Sequence, residues 1–283
     1  MTRAADSFLD DLDATLPGHA ELLRALRDWC RGEPRARTLE LQCSVARGAG
    51  DTYSDLDVGI GVEDDALENL VDALTALLPR LADTVDMLVH RLGEWGDRPH
   101  RRIFVQYVDG RQIDLVVMTA ATIRGQVPGA VVLHDPDGRM EKLRDVPLAH
   151  ASARDVREWE VEGWELPANM DKYLARGSAW EARARLNTAR EHALQLAAAG
   201  DGVGYPAFGL TSLLDADPPR LPAGLDETLP DRSDADLARA ARVCAALLRD
   251  TAERARTAVG VTDGESPMAA WVTDRLSRRT LGA

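Results

Sequence analysis

Cysteine is scarce in this chain: three occur in 283 residues, Cys30, Cys43 and Cys244, and no two form a CxxC pair. That spacing excludes a disulfide framework and a cysteine-ligated zinc site. Long apolar runs are absent, as is an N-terminal stretch with a basic start, an apolar block and a small-residue cleavage site. The expectation is therefore a reducing cytoplasm and no membrane partner. Lysine is nearly missing, since only Lys142 and Lys172 contribute to the 34 Lys and Arg residues. A GC-rich coding bias accounts for the skew, and a lysine kept against it suits a place that wants a compact, mobile ammonium. Positive charge falls short overall, with a formal net charge of −13. A body that acidic argues against nucleic acid as the main partner and would attract a cationic small molecule, the alternative being a surface charge that merely aids solubility. Aromatics make up 5% of the chain, so the six tryptophans are assigned to cores rather than to a stacking platform.

What is present divides into two halves of different character. Residues 4–30 carry Phe8, Leu9, Leu12, Leu22, Leu23, Leu26 and Trp29 at helical spacing. Strands are expected at Thr38–Cys43, Leu56–Val62, Val85–His90, Ile103–Val108, Gln112–Met118 and Ala130–Leu133. A helix is expected between them at Asp64–Leu78, ended by Pro79. Asp109-Gly110-Arg111 is a hairpin signal. Beyond residue 150 the pattern becomes helical: Ser152–Trp164 interrupted by Pro167, then Asn169–Arg176, Ala179–Ala199, Asp234–Val259 and Ser266–Arg279. The expected organisation is an α/β unit with a mixed sheet at 1–148, followed by an all-α helical bundle at 149–283.

The chemistry concentrates between the first two strands, in Cys43-Ser44-Val-Ala-Arg47-Gly48-Ala-Gly50-Asp-Thr-Tyr-Ser54-Asp55-Leu-Asp57. Residues i and i+2 of a strand share a face, so Asp55 and Asp57 converge. Two carboxylates that close stay ionised most easily around a hard divalent cation. The Gly-rich turn ahead of them supplies backbone N–H groups, the Ser44 hydroxyl and the Arg47 guanidinium, all suited to phosphate. Asp114, inside the last arm of the hairpin, adds a third strand-borne carboxylate. Three such groups are what two magnesium ions need to hold a triphosphate beside an attacking hydroxyl.

The stretch from Ser44 to Asp57 resembles the signature of the DNA polymerase β-like nucleotidyltransferase superfamily, a Gly-Ser turn and then Asp-x-Asp about ten residues on. It is most similar to the branch holding aminoglycoside and lincosamide adenylyltransferases and minimal nucleotidyltransferases. The resemblance implies two Mg²⁺ ions on Asp55, Asp57 and Asp114, with ATP as co-substrate. It also implies phosphate or nucleotide contacts from Ser44, Arg47 and Ser54. The family's glycine before the serine is Cys43 here, a side chain that would crowd the approach of phosphate to the backbone. Lys172 is the candidate triphosphate contact from the helical half, the alternative being an ordinary solvated lysine.

Asp155, Glu158, Glu162 and Glu165 fall on one stripe of a helix. They form an expected wall for a cationic acceptor, with one carboxylate, there or at Asp114, serving as general base. The bland alternative is a solvated acidic face partly neutralised by Arg154 and Arg157. Arg185-x6-His192 fits a loose motif of toxin ribonucleases but lacks the polar residue usual beside the arginine, so it is set down to chance. The expected function is transfer of AMP from ATP to a hydroxyl of a small cationic acceptor such as an aminoglycoside, releasing pyrophosphate. A protein-directed adenylyltransferase of the antitoxin type and a non-catalytic nucleotide-binding homologue are the alternatives. Nothing in the sequence sets an oligomeric state.

Overall fold

Alternation along the strands decides the architecture of the first half, because each strand has one apolar and one mixed face. The computed structural model describes residues 2–95, 98–143, 150–231, 233–262 and 264–278. It divides into two compact units, Met1–Asp145 and Val146–Ala283. The boundary expected at 148/149 lies outside the described residues.

In the first unit the helix expected over 4–30 is two helices, α1 (Thr2–Thr15) and α2 (Pro17–Gly32). Pro17 has no N–H to continue α1 and serves as the first residue of α2, where none is needed. Strand β1 (Ala36–Leu41) ends before the expected Cys43, because Cys43 takes a left-handed conformation, φ 57°, and turns the chain into the short helix α3 (Cys43–Ala46). Then come β2 (Leu56–Val62), α4 (Leu67–Leu77), β3 (Thr84–Trp95), β4 (Arg98–Tyr107), β5 (Gln112–Thr119) and β6 (Val131–His134). The six strands form one sheet in the order β3-β4-β5-β2-β1-β6, with β2 and β5 parallel and the other pairs antiparallel. The β4–β5 hairpin turns on Gly110, whose φ of 92° suits glycine.

Leu56, Val58, Ile60 and Val62 of β2, with Ile113, Leu115 and Val117 of β5, pack against α1, α2 and α4 in one core. Each fully buried Leu, Ile or Val contributes about 1.5–3 kcal/mol. The opposite face takes the alternate residues: Thr38 and Glu40 of β1, Asp57, Gly59 and Gly61 of β2, and Asp114 of β5. Two glycines there make room for neighbours. A Cβ on Gly59 would stand 3.3 Å from the Glu40 side chain, and one on Gly61 would meet Ile123 Cδ1 at 2.3 Å and Thr38 Oγ1 at 2.4 Å. Thr38 Oγ1 in turn accepts the Gly61 N–H at 3.0 Å.

The second unit is built on α5 (Ala153–Ala175), α6 (Ala179–Gly200), α8 (Asp234–Ala258) and α9 (Pro267–Arg278), with the short α7 (Leu210–Leu214) in the connection. Ser152 and Asp155 close a reciprocal capping box at the start of α5. Pro167 does not interrupt this helix, contrary to expectation; it lies buried inside 23 continuous helical residues. Four residues upstream, Gly163 brings α5 close to its neighbours: a Cβ there would stand 2.7 Å from Leu248 and 3.2 Å from His192. Packing on that scale helps keep α5 helical past the backbone hydrogen bond that proline cannot make. Val156, Trp164, Leu186, Leu237 and Leu248 belong to the core of this unit.

Candidate active site

Parallel pairing sets Asp57 of β2 directly beside Asp114 of β5. Adjacent strands lie about 4.8 Å apart, so the two side chains leave the same face as neighbours. Asp55 lies two residues before Asp57 and immediately before β2 begins. The Asp57 carboxyl is raised above its ordinary value by burial first, then by the charges of Asp55 and Asp114. A hydrogen bond from the Cys43 thiol and the charge of Arg102 act the other way. The thiol itself is pushed up to about 12, by desolvation and then by Asp57, so it stays protonated and donates.

The loop from Cys43 to Asp55 is fixed at several points. Gln42 N–H donates to the Asp57 carbonyl at 2.8 Å, which ties the end of β1 to the site. Gly50 lies so close under Val45 that a Cβ would come within 2.8 Å of it. Asp51 and Ser54 close a turn: the Ser54 hydroxyl donates to Asp51 Oδ1 at 3.2 Å and accepts from the Asp51 N–H at 2.9 Å. The Ser54 carbonyl accepts from Nε2 of the buried His19 at 2.9 Å, pinning the turn to α2. Ser54 therefore shapes the approach to Asp55. Ser44 lies in α3 and Arg47 directly follows it, the Arg47 stem running along Gly129, where a Cβ would stand 3.7 Å from Cγ.

One charged residue of this face escaped the sequence reading. The β4–β5 register sets Phe104 opposite Asp114 and Arg102 opposite Val116, so Arg102 reaches Asp114 diagonally on the same face. Its Nε donates to Asp114 Oδ1 at 2.6 Å and its Nη2 to Oδ2, a bidentate grip. The guanidinium is held above its ordinary value by that hydrogen bond first, and the charges of Asp114, Asp57 and Asp55 add to it. The signal was present in the hairpin: once Asp109-Gly110-Arg111 is the turn, the register follows. Donors made only of carboxylate oxygen suit a hard cation such as Mg²⁺. Among the described residues, however, no three His, Cys, Asp or Glu side chains are grouped to hold a metal ion. Arg102 takes both oxygens of the third carboxylate.

The other sequence-picked residues belong to the helical unit. Lys172 is exposed, donates to Asn169 Oδ1 at 3.2 Å and lies 4.7 Å over the Tyr173 ring. The residues of the acidic stripe have partners within α5 and α6, one of them an arginine. Arg154 pairs with Glu158 at 2.9 Å, His192 Nε2 lies 3.6 Å from Glu162, and Glu165 accepts from Asn169 at 3.2 Å. Asp155 serves the capping box. Arg185 stacks 5.6 Å over Tyr173, and His192 Nδ1 lies 3.0 Å from Gln195 Oε1.

No family model and no curated protein matches this chain. Among solved structures it is similar to the crystal structure of an aminoglycoside 6-adenyltransferase from Bacillus subtilis. The identity is 15%, the match covers 90% of this chain and 97% of that one, and the TM-score is 0.43. A likeness that loose fixes neither fold nor function.

Proposed function

We propose that this chain is a nucleotidyltransferase that moves AMP from ATP to a hydroxyl of a small cationic acceptor, an aminoglycoside being the fitting type. The observation that carries the reading is the parallel register of Asp57 with Asp114, with Asp55 two residues upstream and a glycine-punctuated turn ahead of both. The net charge of −13 favours a cationic acceptor. Asp55 and Asp57 would hold a divalent cation jointly with substrate phosphates, which when bound neutralises charge on the transferring group. Ser44 and Arg47 would hold the β- and γ-phosphates, with Lys172 as a further contact. The acceptor oxygen forms a bond to the α-phosphorus, the bond from that phosphorus to the bridging oxygen breaks, and pyrophosphate leaves. The hydroxyl proton passes to a carboxylate, for which Asp114 and the α5 glutamates Glu158, Glu162 and Glu165 are the candidates.

A second reading, a nucleotide-binding homologue without turnover, is favoured by two observations: the Arg102 grip on Asp114 and the strained Cys43 at the phosphate turn. Incubation with α-labelled ATP and Mg²⁺, against a panel of aminoglycosides and lincosamides, decides between them. A labelled antibiotic supports the transferase. Binding of ATP with no labelled product from any acceptor supports the homologue, and label appearing on a protein instead supports a protein-directed enzyme.

A further inference from the structure

We propose that Arg102 is a built-in cation that withholds Asp114 from metal, so that the site takes one divalent ion, on Asp55 and Asp57, together with its nucleotide. The inference rests on the nucleotidyl-transfer reading of this site. Asp57 and Asp114 stand side by side in the parallel register with Asp55 two residues upstream, and Arg102 grips Asp114 alone, which leaves Asp55 and Asp57 as the pair for a single divalent ion.

The backbone, and not a chance surface encounter, places Arg102. Strand alternation sends its neighbour Arg101 to Glu68, in the first turn of α4 on the helix-covered face. The same alternation commits Arg102 to the site face, where the hairpin register aims it at Asp114. Both Asp114 oxygens accept from it; the Asp114 side chain is 18% exposed and that of Arg102 39%, so the carboxylate is set into the face while the guanidinium is partly open to water. A bidentate guanidinium–carboxylate pair is among the stronger charge-assisted contacts. Magnesium is commonly held by one or two carboxylates with substrate phosphates completing its shell, which the Asp55–Asp57 pair satisfies without Asp114.

The test is equilibrium dialysis with Mn²⁺ and the non-transferable analogue α,β-methylene-ATP, counting bound metal per bound nucleotide. The expected ratio is about one for the wild type and about two for Arg102→Gln, in which Asp114 is released. Asp114→Asn should keep a ratio of about one, because the carboxylate removed was not a ligand. A wild-type ratio of two, or a ratio that stays at one in Arg102→Gln, overturns the inference and leaves the transferase reading standing. A halved ratio in Asp114→Asn also overturns it. If neither nucleotide nor metal is retained by any form, the transferase reading itself fails.

Discussion

The chain treats its carboxylates in two opposite ways. In the helical unit Glu160 is 2% exposed, and Arg256, whose own side chain is 12% exposed, donates to it, with Arg157 a further 3.8 Å away. There a buried charge is met by more positive charge than it needs. On the site face of the sheet, Asp55, Asp57 and Asp114 lie near the Arg102 guanidinium, and the Asp57 carboxyl is raised, by burial first and then by the charges of Asp55 and Asp114. The first arrangement is explained by stability alone. The second costs stability, a pattern that clusters at functional sites and fits the proposed function.

Asp57→Asn probes this contrast most strongly. On the proposed function, transfer should fall by at least about 10³-fold, since the amide cannot share a divalent cation as a carboxylate does. A rate near wild type in the α-label assay would sink the assignment. The same substitution should raise the melting temperature, by about 2 °C, because it removes a like charge from the cluster. The sign follows from linkage. A carboxyl raised in the folded state binds its proton more tightly there than in the unfolded chain. Its contribution is therefore present at low pH and is lost as pH rises through the carboxylate range. Melting curves of Asp57→Asn should show that pH-dependent loss reduced; an equal loss would show that Asp57 is not under strain.

Arg256→Leu should act in the other direction. It leaves Glu160 buried without its main partner, at a cost of roughly 3–5 kcal/mol. Urea unfolding monitored by circular dichroism would measure it. A cost under about 1 kcal/mol would mean that Arg157 swings in to replace Arg256, and the contrast between the two units would weaken.

Half of this contrast was legible in the sequence: Asp55 and Asp57 share a face because residues i and i+2 of a strand do, and Asp114 stood out as a third strand-borne carboxylate. Arg102, and the pairing of Glu160 with Arg256, were not. Pattern fails where the decisive quantity is a backbone angle or a partner far away in sequence. Cys43 reads as the last residue of a strand, yet its φ of 57° ends β1 early. Pro167 reads as a helix stop, yet packing at Gly163 carries α5 through it. The acidic stripe of α5 reads as either a wall for a cationic acceptor or a solvated face. Glu162 lies 3.6 Å from His192, thirty positions away on α6, a neighbour that no helical periodicity within α5 could reveal.

Cys43→Gly carries the smallest expected effect, and it bears directly on how the site is strained. A non-glycine residue in the left-handed region costs about 1–2 kcal/mol, which glycine would relieve. Against that stand the entropy glycine adds to the unfolded chain, about 0.5–1 kcal/mol, and the lost thiol hydrogen bond to Asp57, about 1 kcal/mol net. The changes nearly cancel, so unfolding stability should move by less than about 1 kcal/mol. Nucleotide affinity should not stay level. Removing the side chain opens the turn to phosphate, and calorimetric titration with ATP and Mg²⁺ should show tighter binding by the glycine variant. Unchanged or weaker affinity would mean that the thiol does not crowd the phosphates. Cys43 would then serve the cluster through its hydrogen bond, as a neutral donor that eases the charge on Asp57 where Arg102 is engaged elsewhere.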